Sequence, residues 1–276
     1  MQGRLSPTID GLIQAFPWRY WREEFGVAES NGFHIMEWTL DHARLNENPL
    51  MTLSGQAEIR ALRERHGVAI PSLTGDCFMQ MPFWKAQGEQ AEALKTDFDA
   101  ISKACATVGI GILVVPLVDN GRLENRAQED LLVDCLLERK CFLADMGLQV
   151  AFESDYLPAE CARFIGRLPA EHFGINYDIG NSAALGFAPA DEFAAYGDRI
   201  VNVHVKDRLL GGTTVPLGTG NADFAVVFDA LRRIDYRSNF ILQTARANDG
   251  EDARALCAYR EITREWMRRY GLEGDT

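Results

Sequence analysis

Four polar residues each close a short apolar run: Glu153 after QVAF, Asp178 after GINY, His204 after IVNV and Gln243 after FIL. Two carboxylates, an imidazole and an amide oxygen make a donor set suited to a divalent cation. Each residue alone has a plainer account. Glu153 reads as a surface residue at a loop start, and Asp178, in YDIGN before Gly180 and Asn181, as turn chemistry. His204 reads as a satisfied core histidine, and Gln243 as a hydrogen-bonding strand residue. Taken as a set, they predict strand ends that converge on one metal site. A divalent ion holding a hydroxyl and the adjacent carbonyl acidifies the C–H between them, and a carboxylate such as Glu153 can take that proton. Gln243 keeps an oxygen for a metal but cannot be a base. It also removes one negative charge, which weakens the hold on the ion. Inverting a stereocentre by proton transfer normally needs acid–base groups on both faces of the carbon, whereas aldose–ketose isomerisation needs one. A one-base reaction, isomerisation or loss of water, is therefore expected.

The elements that must carry these residues alternate along the chain. Strand candidates are 32–38, 68–73, 111–117, 148–153, 174–178, 200–206 and 240–244, with a stub at Gln2–Leu5. Helical stretches fall at Trp18–Ser30, Gly55–His66, Gln90–Val108, Arg126–Met146, Pro158–Arg167, Ala222–Ile234 and Glu251–Tyr270. Gly67, Gly109 and Gly147 follow three of them as C-terminal caps would. Eight strands alternating with helices predict an α/β protein, a (β/α)8 TIM barrel forming a single domain over 1–276. The rival, a doubly wound sheet, lacks its glycine fingerprint, since GRLSP is not GxGxxG. The stub is three or four apolar residues short of a barrel strand. Either strand one is clipped, or translation starts upstream of Met1.

Lys and Arg number 28 against 40 Asp and Glu, a net charge of −12, which works against a nucleic-acid partner. No stretch reaches the roughly 18 to 20 apolar residues of a membrane span. The six cysteines show no CxxC or zinc-finger spacing, so a reducing, cytoplasmic location is expected. Cys77, whose nearest charge is Asp76, shows no sign of an activated thiol.

MQGRLSP, GFHIMEW with Glu37, YDIGN, HVKDR and LGTGNADF before FILQTAR together resemble the xylose isomerase-like TIM barrels. That group includes sugar and sugar-phosphate isomerases, epimerases and inosose dehydratases, and the resemblance runs nearly the full length. It implies Mn²⁺, Mg²⁺, Co²⁺ or Zn²⁺ on Glu153, Asp178, His204 and Gln243, the last departing from the family's second Glu. Glu153 is then base and ligand, with Lys206 as a relay for the second proton. Glu37, Arg4, Asn181, Asp207, Arg208 and Arg246 are candidates for substrate contact. The Gly218–Gly220 turn lies among the late loops, where barrels often bind phosphate. Phe16 and Phe78 could stack on a sugar's C–H face, or pack between helices, as Trp18 is expected to. The resemblance implies a sugar or sugar phosphate as substrate, and a dimer or tetramer. The leading expectation is a sugar (phosphate) isomerase. Alternatives are an inosose-type dehydratase, an epimerase and a non-catalytic sugar-binding barrel. An apurinic-site endonuclease would want a histidine-rich trinuclear site, but of five histidines only His204 ends a strand in the right half.

Overall fold

The computed structural model describes residues 1–9, 11–247 and 249–273. Seven parallel strands stand side by side in the order β1 (Ile35–Thr39), β2 (Ala69–Thr74), β3 (Ile112–Leu117), β4 (Gln149–Ser154), β5 (Phe173–Asp178), β6 (Ile200–Val205) and β9 (Asn239–Leu242). The remaining two, β7 (Asp207–Arg208) and β8 (Thr214–Val215), form a small antiparallel hairpin above β6. The strands are apolar runs because helices cover one face and the barrel interior fills the other. In β5 every residue is buried. The fold is the expected TIM barrel, nearly closed.

The eighth position in the wall is held by residues 1–6 without a ladder. Gln2 N–H donates to Glu37 O at 2.9 Å on the β1 side, and the Met1 amine reaches Leu242 O at 3.3 Å on the β9 side. Side chains complete the attachment. The buried Glu24 carboxylate accepts from Gly3 N (2.8 Å), Leu5 N (3.1 Å) and Ser6 Oγ (2.8 Å). Arg4 Nη1 donates to Thr244 O at 2.7 Å. Where the sequence offers only a stub, polar side chains do the work of a hydrogen-bond ladder. Beneath this segment lies a cavity of about 290 Å³, lined by Met1, Met36, Phe240, Leu242, Leu256 and Met267 among others.

Helix ends follow their caps. Thr52, Asn125, Asp178 and Asp223 accept from the backbone N–H three residues on, and Gly67 and Gly109 leave their helices at φ 61° and 79°. Three expectations shift. The first helix begins at Glu23, because residues 18–22 turn after Pro17. The stretch Arg126–Met146 divides into Arg126–Glu138 and Lys140–Asp145, with Arg139 held between by Asp99 and the Cys135 carbonyl. Two short helices, Ile179–Leu185 and Pro189–Tyr196, connect β5 to β6 where no helix was expected. No described helix is long and apolar enough to cross a membrane, and all six cysteines are free thiols.

Glu24 makes a measurable claim. Glu24→Ala leaves three donors facing a buried gap, so urea unfolding is expected to lose about 2–4 kcal/mol, whereas Glu24→Gln, which keeps an acceptor, loses less. Equal loss in both variants would show that charge, not hydrogen bonding, holds the segment.

Candidate active site

Residues two apart on a strand share a face, and this rule stacks a polar column inside the barrel. Asn176 and Asp178 point inward from β5, and Asn202 and His204 from β6. The register sets Asn176 beside Asn202 and Asp178 beside His204. In the lower layer Ser72 Oγ donates to Glu37 Oε2 (2.7 Å), and Asn202 Nδ2 donates to Glu37 Oε2 (3.2 Å) and Asn176 Oδ1 (2.8 Å). Asn176 Nδ2 then donates upward to Glu153 Oε2 at 2.9 Å. His204, fully buried, joins the layers. Its Nε2 lies 2.9 Å from Glu37 Oε1, and its Nδ1 lies 3.4 Å from Glu153 Oε2 and 3.8 Å from Asp178 Oδ2.

Burial alone would push the His204 imidazole down, but the Glu37, Asp178 and Glu153 carboxylates around it outweigh burial and hold it well above its ordinary value. Glu37, equally desolvated, is held below the usual carboxylate range by His204 and Ser72. Asp178 is also held low against its burial, by Lys206 and His204. One donor atom each from Glu153, Asp178 and His204 lie within 4.8 Å of one another. A histidine whose far nitrogen rests on a carboxylate is the common arrangement behind a metal ligand, and Glu37 supplies it. Lys206 Nζ sits 3.2 Å from Asp178 Oδ2 and 2.7 Å from Gln243 Oε1, a positive charge on these same groups. The donor set therefore fits a divalent cation.

The other expected site residues divide. Asn181 Nδ2 donates to Glu153 Oε1 at 2.6 Å, and its Oδ1 accepts from Arg208 Nη1 at 2.7 Å, so both stand at the mouth beside Glu153. Arg4 lies close enough to Asp178 and Asp76 to feel their charge. Arg246 is braced by Ser6 O, Gly3 O and Asp252. Glu37 is fully buried behind His204 and orients that ring instead of meeting a sugar hydroxyl. Asp207, also fully buried, accepts from Gly218 N, Gly220 N and Ala222 N at 2.8–3.1 Å. The amides of the glycine turn are thereby occupied by a carboxylate and are not open to a phosphate. Phe16 packs among Trp18 and Trp38 with ring centroids 4.9 and 5.3 Å away, and Phe78 packs on Phe98 at 5.5 Å. Both rings are core, with no face turned to a sugar. Burial pushes the Cys77 thiol well above its ordinary value, which leaves it unreactive.

Sequence reading passed over Ser72, Asn176 and Asn202, although polar residues spaced two before or after a ligand within apolar strands were the available signal. It also passed over Gln14 and gave Asp76 no role; Gln14 lies in a loop and Asp76 opens the five-residue helix Asp76–Gln80, both too short of context for periodicity to mark them.

A family model described as xylose isomerase-like TIM barrel matches residues 25–270. The chain belongs to that family. Among its relatives is an L-ribulose-5-phosphate 3-epimerase of Salmonella paratyphi A, 25% identical over 265 residues, which span 91% of this chain and 92% of the relative. Solved structures of the same fold include a D-psicose 3-epimerase crystallised in the presence of D-fructose, at TM-score 0.72 and 13% identity, covering 91% of this chain and 97% of that one. Another is the IolI protein with a bound zinc atom, at TM-score 0.73 and 17% identity, covering 90% and 93%. In this xylose isomerase-like barrel the local packing can be probed at Gly180, where an added Cβ would lie 2.6 Å from Lys206 Cγ and 3.1 Å from its carbonyl carbon. Gly180→Ala is expected to cost about 1–3 kcal/mol in urea unfolding and to move the Lys206 ammonium off Asp178 in a crystal structure of the variant. Wild-type stability with Lys206 in place would refute this account of the site's packing.

Proposed function

We propose that this chain catalyses proton transfer at a carbon next to the carbonyl of a sugar or sugar phosphate, with Glu153 as the base. The observation that carries this reading is the convergence of Glu153, Asp178 and His204 Nδ1 on one point at the strand ends. Glu153 Oε1 and Oε2 are each held by an asparagine, Asn181 and Asn176, so the carboxylate is fixed in direction. A divalent ion held by Glu153, Asp178 and His204 would polarise the carbonyl and make the neighbouring C–H acidic. Asn181 and Arg208, at the mouth, are suited to orient hydroxyl groups, and the arginines there suit a phosphate arm better than the occupied glycine turn does.

Two outcomes of this chemistry have support from different observations. The likeness to the Salmonella L-ribulose-5-phosphate 3-epimerase favours inversion at C3 of a ketose phosphate. Gln243, an amide tied to Lys206 Nζ at 2.7 Å, favours aldose–ketose isomerisation, which one base can complete. L-Ribulose 5-phosphate in D₂O with Mn²⁺ separates them. Deuterium at C3 with formation of the C3 epimer marks epimerisation, whereas formation of the aldose marks isomerisation. Glu153→Gln is expected to slow exchange by about 10²–10⁴-fold; an unchanged rate would remove Glu153 as base. Dialysis against a chelator is expected to suppress exchange and added Mn²⁺ or Zn²⁺ to restore it, and full activity in the metal-stripped protein would overturn the metal part of the reading.

A further inference from the structure

A carboxylate outside the ligand set is joined to Gln243 through one intervening side chain. Asp76 follows β2 directly, is 9% exposed, and its Oδ2 accepts from Gln14 Nε2 at 2.6 Å. Gln14 Oε1 in turn accepts from Gln243 Nε2 at 2.9 Å. Among the described residues Asp76 makes no ion pair and has a single hydrogen-bond donor, whereas the buried carboxylates of Glu24, Glu129 and Asp207 are each saturated by three or more donors. A buried carboxyl with one neutral partner is an unusual choice for structure alone, and Gln14 links it to Gln243, the amide that stands in the position of the family's second Glu.

Resting on the reading that Glu153 removes a proton beside a carbonyl, we propose that Asp76 is the second proton-carrying group of the site. In this arrangement the substrate stands between Glu153 on the β4 side and Asp76 on the β2 side. Glu153 takes the proton from one face of the carbon, and the C–H electron pair passes into the enediolate. The Asp76 carboxylic acid delivers a proton to the opposite face of that carbon, and the pair returns to form the new C–H bond. At the end Glu153 holds a proton and Asp76 is ionised; exchange with solvent restores both. Gln14 spans the gap between Asp76 and Gln243 with one donor and one acceptor, the pattern that a hydroxyl beside a carbonyl presents. A substrate displacing this half-exposed side chain inherits both contacts.

The surroundings suit the role. Burial and the nearby charges of Asp41, Glu153 and Glu37 raise Asp76 to about 7, against the hydrogen bond from Gln14, and Arg4 faces it from the N-terminal segment. It is therefore protonated below neutrality and ready to give a proton there. In the direction in which Asp76 donates, the rate of inversion should fall as pH rises through about 7.

The test follows deuterium in L-ribulose 5-phosphate incubated in D₂O with the unmodified protein and with Asp76→Asn, Asp76→Glu and Gln14→Ala. Asp76→Asn is expected to keep deuterium wash-in to the starting sugar, which needs only Glu153, while formation of the C3 epimer falls at least about 100-fold. Asp76→Glu should restore part of the inversion with a displaced pH profile. Gln14→Ala removes the one hydrogen bond that holds the carboxyl and should move the pH profile of inversion without abolishing inversion. Undiminished inversion in Asp76→Asn overturns the proposal. So does equal loss of wash-in and inversion that Asp76→Glu does not recover. Absence of exchange in the unmodified protein would defeat the reading of Glu153 itself, a result distinct from either.

Discussion

The contact on which the rest of this structure depends is His204 held between Glu37 below and Glu153 and Asp178 above. An isolated charge buried at this depth would be strongly unfavourable, and each carboxylate of the column is tolerable only because a donor or a cation faces it. Glu37 has His204, Ser72 and Asn202; Glu153 has Asn176 and Asn181; Asp178 has Lys206 and the Asn181 backbone. Position follows from that satisfaction. The ring cannot turn without leaving Glu37, so Nδ1 stays beside the Asn176 amide at 3.1 Å and the upper carboxylates, and the chemistry of the strand ends is fixed from the layer beneath.

Much of this was legible in the amino-acid sequence because strand alternation is a strong signal. Glu153, Asp178, His204 and Gln243 were visible as polar stops on apolar runs, and the strands fall within a few residues of their expected bounds. Asp178 illustrates how two readings can both hold: its Oδ1 caps the helix Ile179–Leu185 through Asn181 N–H at 2.8 Å, while Oδ2 faces the site. What was not legible depends on tertiary neighbours. Phe16 and Phe78 look like sugar platforms until Trp38 and Phe98 are seen against them. Asp207 looks like a mouth residue until three backbone amides are found on its oxygens. The two short helices after β5 carry too few residues for a helical period to declare itself.

The N-terminal wall shows a second way in which sequence underdetermines fold. Gln2–Leu5 has the place of a strand but not its ladder, and Glu24 on the helix Glu23–Ser30 supplies the missing acceptors from the side. A single buried carboxylate thereby ties a helix on the outside of the barrel to Arg4, whose guanidinium reaches the backbone beside Gln243. The geometry of the mouth thus has a support outside the barrel interior that no reading of strand ends alone would find.

The hydrogen bonds from Lys206 to Asp76 run in one sense. Lys206 donates to the Gln243 oxygen, the Gln243 nitrogen donates to the Gln14 oxygen, and the Gln14 nitrogen donates to Asp76. Such a chain has polarity, and its links reinforce one another. A carboxylate at position 243 would still satisfy Lys206 but would have no hydrogen for Gln14. The Gln14 amide would then have to turn its nitrogen toward position 243 and its oxygen toward Asp76, a contact that is favourable only when Asp76 carries a proton. The amide at 243 is in this sense a choice of direction. It sets the end of the chain at which negative charge can rest, and it links the protonation of one helix-start carboxyl to the orientation of two neutral side chains that never titrate.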